Sequence, residues 1–597
     1  MSSNTPNGPS DGTDDRSSDR PSDAPSDGHS YGHSDGHSDG QNVGPEYLGA
    51  GRPDVGKQPT GRGGKWGVLA AAAVGVLGVV GVGGWVALSL MSSGTQPAEV
   101  IPANAVGYLS LDLDPSAAQK IEAFKILNKF PAIKREIDLT DRDDLREFVF
   151  TKLQDEGHCE SLDYAQDIKP WIGDRIALAG VPGTGADDAA APVIALQVTD
   201  QAAARTGIEA VADCAKFGDD FGFAFVGDYV LLSDSESRAE ALVASAEKAS
   251  LADDAQFQEW TEKVGDPGII TMYAAPGAPK FFADMQRDAA MNSWMNYGEV
   301  PSPAGLETGA AYQSESQLEM DDSMSELAKN FKGMAGVIRF EDGAVEAEFA
   351  GQGLPSVVAP VAGDSGPSMT NLPGGTGAAF SIALRDGWLK KYLESIAGVL
   401  GGGESVDQML AEAEAETGLK LPEDIETLFG DGISLSVDAE FDMDGLFSEE
   451  DLSRLPIGLR VKGNPDEILP IVDKVKAAIG PDADRLVVES GEGVVAFGLN
   501  QDYVTNLVEG GALGNDVTFQ NAVPDADEAS GVLYVNFDAG GGWAERLAES
   551  MAGMGDEFSD KPARSPGENV APLDALGLSS WVDSEQVQRA RFRLTTD

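Results

Sequence analysis

Histidine and cysteine are almost absent from this chain, and their scarcity excludes more chemistry than any motif suggests. Four histidines and two cysteines occur in 597 residues. His29, His33 and His37 lie in a low-complexity N-terminal stretch, which leaves His158 as the one histidine beyond it. A Ser-His-Asp triad or a multi-histidine zinc site would have to be built around that residue. Beyond residue 91 there is no HExxH, GxSxG, P-loop or dinucleotide-binding glycine motif. Aromatics make up only 7% of the chain, too few for the aromatic-rich cleft of a sugar-cleaving enzyme. Basic residues are scarce as well, with 42 Lys and Arg against 99 Asp and Glu, a net charge of −57. A surface of that sign repels nucleic acid and anionic lipid headgroups. The chain therefore reads as no enzyme and no nucleic-acid binder.

One long segment lacks charge altogether. Between Trp66 and Met91 there is no Asp, Glu, Lys, Arg or His. About 20 apolar helical residues cross a bilayer, so this run predicts one transmembrane helix. Arg52, Lys57, Arg62 and Lys65 precede it, and the first charge beyond it is Glu99. The positive-inside bias puts residues 1–65 in the cytoplasm and the rest outside, as a single-pass plasma-membrane protein with an extracellular C-terminal part. The tail is Ser-, Asp-, Gly- and Pro-rich and predicts disorder. Its His/Asp spacing has metal-binding precedent, but Gly at every fourth position argues against an ordered helical site. The two cysteines, Cys159 and Cys214, both lie beyond the apolar run, where an even pair predicts a disulfide.

The exported part repeats itself. AVGYLSLDL (105–113) matches GAAFSIALRD (377–386), and WIGDRIALAG (171–180) matches LFGDGISLSV (428–437). Residues 192–211 match 456–475, 222–235 match 493–508, 257–275 match 519–537, and the closing hairpins 335–349 and 576–592 match each other. Asp342-Gly343 is a strong hairpin-turn signal; Asp583-Ser584 is weaker. Alternating apolar positions predict antiparallel sheet backed by helices. The expected fold class is α+β: a disordered tail 1–65, a transmembrane helix 66–91, then a tandem duplication of an antiparallel-sheet-plus-helices unit. Unit 1 spans 92–350, with a Met-rich helical insertion at 280–332; 351–375 is a linker; unit 2 spans 376–597. The insertion reads as helices packed on their own sheet, although Met-rich faces also suit adaptable partners.

One pattern suggests a metal. Glu440, Asp442, Asp444, Ser448 and Asp451 occupy loop positions 1, 3, 5, 9 and 12 around Gly445, the layout of a calcium-binding EF-hand. Glu440 and Asp451 both depart from the residues usual at their positions, and an acidic connecting loop is the plainer account. Calcium is thus the one candidate ion, and no other cofactor is expected.

The stretch IPANAVGYLSLDLDPSAAQKIEAFKILNKFP (101–131), with Pro102, Tyr108, the Asp112-x-Asp114-Pro115 turn, Gln119-Lys120 and Phe130-Pro131, resembles a family of actinobacterial envelope proteins. WIGDR (171–175) and the closing LDALGLSSWVDSEQVQRARFRLTTD (573–597) resemble it too. Its members are membrane-anchored exported proteins that carry a domain of unknown function. The resemblance implies the same tail, anchor and exported domain, and supplies no activity or ligand. The function expected is a non-catalytic binding or scaffolding module of the cell envelope, held by one membrane helix, with a lipid, a cation or an envelope protein as partner. The alternatives are an extracellular carboxylate-based enzyme and a cation-responsive envelope sensor that signals to the tail.

Overall fold

In a computed structural model the described residues are 95–131 except 114, 161–183, 191–215, 221–285, 328–354, 368–400, 406–440, 452–543 and 570–597, with 146, 147, 150, 151, 154, 159 and 546. The first half contains β1 (Gly107–Asp112), α1 (Ala117–Leu127), β2 (Ile172–Val181), β3 (Ala191–Val198), α2 (Gln201–Ala215), β4 (Gly222–Val226) and β5 (Tyr229–Ser233). It continues with α3 (Glu236–Ala246), α4 (Ala255–Lys263), β6 (Ile270–Ala274), β7 (Gly333–Glu341) and β8 (Ala344–Gln352). The second half contains β9 (Thr376–Ala383), α5 (Trp388–Leu400), α6 (Val406–Thr417), α7 (Glu423–Phe429), β10 (Gly432–Asp438), β11 (Ile457–Lys462) and α8 (Pro465–Ile479). It ends with β12 (Val487–Gly491), β13 (Val494–Gly498), α9 (Gln501–Glu509), α10 (Val517–Ala522), β14 (Gly531–Asn536), β15 (Leu573–Val582) and β16 (Gln588–Thr596).

All sixteen strands join one sheet in the order β12-β13-β11-β10-β9-β14-β15-β16-β8-β7-β6-β1-β2-β3-β5-β4. Every neighbouring pair is antiparallel. Read inward from either edge the order is the same, with β9–β16 standing where β1–β8 stand. The closing hairpin β7–β8 turns on Asp342 and Gly343, which both take positive φ (48° and 76°), as a two-residue hairpin loop requires.

This corrects the expected architecture in two respects. The strands of the two copies do not form separate sheets but one: β8 pairs with β16 through eight residues, from Gln588↔Gly351 to Thr595↔Ala344. Pairing removes two exposed strand edges at once, which would otherwise invite association with other chains. The second correction concerns the membrane. Residues 66–91, expected to span it, lie outside the described residues, and among the described residues no helix is long and apolar enough to cross a membrane. The longest, α2 and α8, have 15 residues each and carry charges along their length, short of the roughly 20 apolar residues needed. The single-pass description therefore has no support in the fold.

Charge fastens the junction. On one face of the sheet Arg339 of β7 lies opposite Glu346 of β8, and Arg593 and Arg591 of β16 lie opposite Glu346 and Glu348. Arg339 pairs with Glu346, and with Glu348 and Glu341 at 2.8 Å each; Arg593 pairs with Glu346; Arg591 reaches Glu348 at 3.1 Å and Asp525 at 2.7 Å. Burial pulls the Arg339 guanidinium down, but Glu346, Glu348 and Glu341 outweigh it and hold it above its ordinary value. Arg339 and Arg589 also donate to the carbonyls of Val264 and Lys263 at 2.9 and 2.7 Å, placing cations at the C-terminus of α4, where the helix dipole favours them. Either side of this ionic centre, the same face carries an apolar core: Tyr108, Tyr229, Trp260 and Tyr273 in the first half, Tyr503, Phe519 and Tyr534 in the second.

Candidate functional site: an apolar sheet face with an acidic end

On the opposite face one transverse row crosses ten strands. In the first half it runs Ile176, Leu111, Ile270, Ile338, Ala347, and in the second Phe592, Leu578, Leu533, Phe380, Leu435, each residue the register partner of the next. Each of these side chains faces the same way because alternate strand residues do. The first-half part is interior: Leu111 is 1% exposed and Ile270 3%, packed with Ala123, Ile126 and Leu127 of α1 and with Phe340. Ser116 caps α1 by accepting from the Gln119 amide. Gln119 then bolts the helix to β7, its Nε2 donating to the Phe340 carbonyl (2.7 Å) and its Oε1 accepting from the Phe340 amide (2.8 Å).

Among the described residues, nothing covers the second-half part in that way. Leu435 is 48% exposed, Phe380 43%, Leu578 39% and Leu533 36%. A second row beside it, Val437, Ala378, Val535, Leu576 and Leu594, is half-buried and also wholly apolar. With strands about 4.8 Å apart, five strands give a patch roughly 19 Å wide. The helix that follows β9, as α1 follows β1, is α5, and it is fastened elsewhere. Trp388 stacks edge-on against Phe429 of α7 (centroids 5.9 Å), and the Leu389 amide donates to Glu426 at 3.2 Å. Neighbouring α7 and α8 cover a smaller cluster of Ile433, Leu459, Val461 and Val495.

Carboxylates gather at one end of the patch, past the second row. Asp538 lies two residues beyond β14, Asp574 is the second residue of β15 and Asp597 follows β16, and one oxygen of each lies within 4.8 Å of the others. Thr595 Oγ1 donates to Asp574 Oδ2 at 3.0 Å, and Lys129 donates to Thr596 Oγ1 at 2.8 Å and to the Asp597 carbonyl. Asp438 ends β10 at the same end of the sheet, its carboxyl near Tyr503 of the core on the other face. Burial pushes its carboxyl above the usual range, against the pull of the Glu440 amide, which donates to it at 2.9 Å. The three aspartates are the described residues with the donor set for a hard cation. Sequence reasoning missed them because they lie apart in the chain and meet only through strand pairing.

Of the expected calcium loop, Glu440 is described and exposed; Asp442, Asp444, Ser448 and Asp451 lie outside the described residues, as do His29, His33, His37 and His158. Cys159 and Cys214 form a disulfide that ties the chain before β2 to the last turn of α2. Most of the Met-rich insertion is also outside the described residues. In the expected linker, Met369 and Leu372 are fully buried in the second core.

A protein built on one large antiparallel sheet with helices, with an apolar face exposed among the described residues, is the class these features define. The chain belongs to the family described as "Protein of unknown function (DUF3352)", whose model matches residues 69–454, from before β1 into the second half. No curated protein and no solved structure matches it.

Proposed function

We propose that this protein is a non-catalytic binding or scaffolding module that works in an oxidising, exported compartment and docks a partner on the apolar face of its second half. The observation that carries the reading is the internal comparison: among the described residues, the same five-strand row is packed under α1 in the first half and exposed in the second. Large contiguous apolar patches on a folded surface mark interaction sites. Covering the four exposed side chains from their present state is worth roughly 2–5 kcal/mol, from about 1.5–3 kcal/mol for each fully buried residue. After the cost of association, that supports a modest affinity tuned by neighbouring polar contacts. The Cys159–Cys214 bond supports the compartment. The two most buried carboxylates at the sheet junction, Glu346 and Glu348, are each held by arginines, an arrangement suited to structure.

The test is photo-crosslinking in producing cells with benzoyl-phenylalanine at Leu533, compared with the exposed position Glu240 on α3. The reading expects a discrete adduct at Leu533 that disappears when Phe380 and Leu578 are also changed to Ser. Equal or absent adducts at the two positions would overturn it.

A further inference from the structure

Resting on that docking reading, we infer that the occupant of the open face is a basic amphipathic helix of a partner protein, seated as α1 is seated in the first half. The first half supplies the template, because the equivalent strands β2, β1, β6, β7 and β8 are covered by a helix through Ala123, Ile126 and Leu127. Strand order and row register repeat in the second half, so a helix of similar cross-section fits over β10, β9, β14, β15 and β16. Charge selects the kind of helix. Asp538, Asp574 and Asp597 stand at one end of the strands that carry the patch, on a chain of net charge −57. A second copy of this chain would bring the same charge to the interface, whereas a helix with Lys or Arg beside its apolar stripe is attracted to it. The α1 segment has that character itself, with Lys120, Lys125 and Lys129 against Glu122. In place, Lys129 already reaches the end of β16 at Thr596.

The experiment uses a fluorescein-labelled peptide of residues 115–131 added to the full chain, read by anisotropy. A short helix is barely formed alone, so binding is expected to be weak but saturable. Asp substitutions at the peptide's Ile126 and Leu127 should weaken it at least about tenfold, since two apolar anchors are lost. That comparison leaves the protein's own fold untouched. Raising salt should weaken it further. Because both native cysteines are bonded, Leu533→Cys supplies a single free thiol, and the peptide should slow its reaction with a maleimide. Protection at Leu533 also separates docking on the open face from displacement of α1. Binding that leaves the thiol unprotected, or that is indifferent to the Asp substitutions, overturns the helix assignment. If the peptide does not bind while crosslinking at Leu533 persists, the helix inference falls and the docking reading stands. If both fail, both fall.

Discussion

Glu346 is the residue whose loss should cost most at the junction of the two halves. Its side chain is 2% exposed and accepts from Arg339 of β7 and Arg593 of β16, so it binds strands from both halves at once. Glu346→Gln keeps shape and an acceptor but removes the charge. Arg339 would retain Glu348 and Glu341, while Arg593 would lose the one carboxylate it pairs with among the described residues. Breaking one partner of a buried ion pair costs about 3–5 kcal/mol; a hydrogen bond kept by the amide returns about 1, which leaves roughly 2–4. The assay is equilibrium urea unfolding of wild type, Glu346→Gln, Arg593→Met and the double variant. Because the double variant removes both charges, it should be less destabilised than the sum of the singles, by more than about 1 kcal/mol. A cost below about 1 kcal/mol for Glu346→Gln, or strict additivity, would refute the claim that the buried charges act as one network.

Three further outcomes follow from other parts of the fold. The Lys420 amide and the Lys474 ammonium, both at 2.9 Å, hold the Asp424 carboxyl below its ordinary value. A depressed folded value stabilises at neutral pH, and that contribution is lost as pH falls from about 4 through the folded value, so Asp424→Asn should flatten the acid limb of a pH–stability curve. Reducing Cys159–Cys214, which closes a sequence separation of 55, should lower unfolding stability by about 4 kcal/mol in the chain-entropy account, measured by urea titration with and without reductant. On β15, a Cβ added at Gly577 would stand 2.0 Å from the Ala522 carbonyl oxygen at the end of α10. Backbone on both sides leaves no room to yield, so Gly577→Ala should cost about 1–3 kcal/mol or more; wild-type stability in that variant would contradict the packing of α10 on β15.

The strands were largely legible because most alternate cleanly. β2 buries every second residue, and the Asp342-Gly343 dipeptide marks the β7–β8 hairpin unambiguously. Matching the repeated segments was less secure where neighbouring strands look alike. Residues 222–235 form the hairpin β4–β5, but 493–508 comprise β13 and α9; the topological counterpart of β4–β5 is β12–β13. Two short apolar strands with a glycine at or just past the end share one pattern, so the match slipped by a strand. Joining of the halves was missed, although a signal exists: Glu346 and Glu348 alternate on one strand, Arg589, Arg591 and Arg593 on another. Opposite charges at period two on the closing strands of each half invite a cross-strand pair. The open face had no such signal. Both faces of the sheet are apolar, and which one stays open depends on α5 leaning on α7, a tertiary choice that periodicity does not encode.

The central claim, that the second-half row is a surface and not an interior, is tested most directly by bis-ANS titration of the native full chain. The comparison is a variant with Phe380, Leu435, Leu533 and Leu578 all changed to Ser, with its melting temperature recorded alongside. The account predicts that wild type binds dye saturably, that the variant loses most of that binding, and that the two melt within a few degrees of each other. A variant that unfolds early, or one that keeps full dye binding, would contradict it.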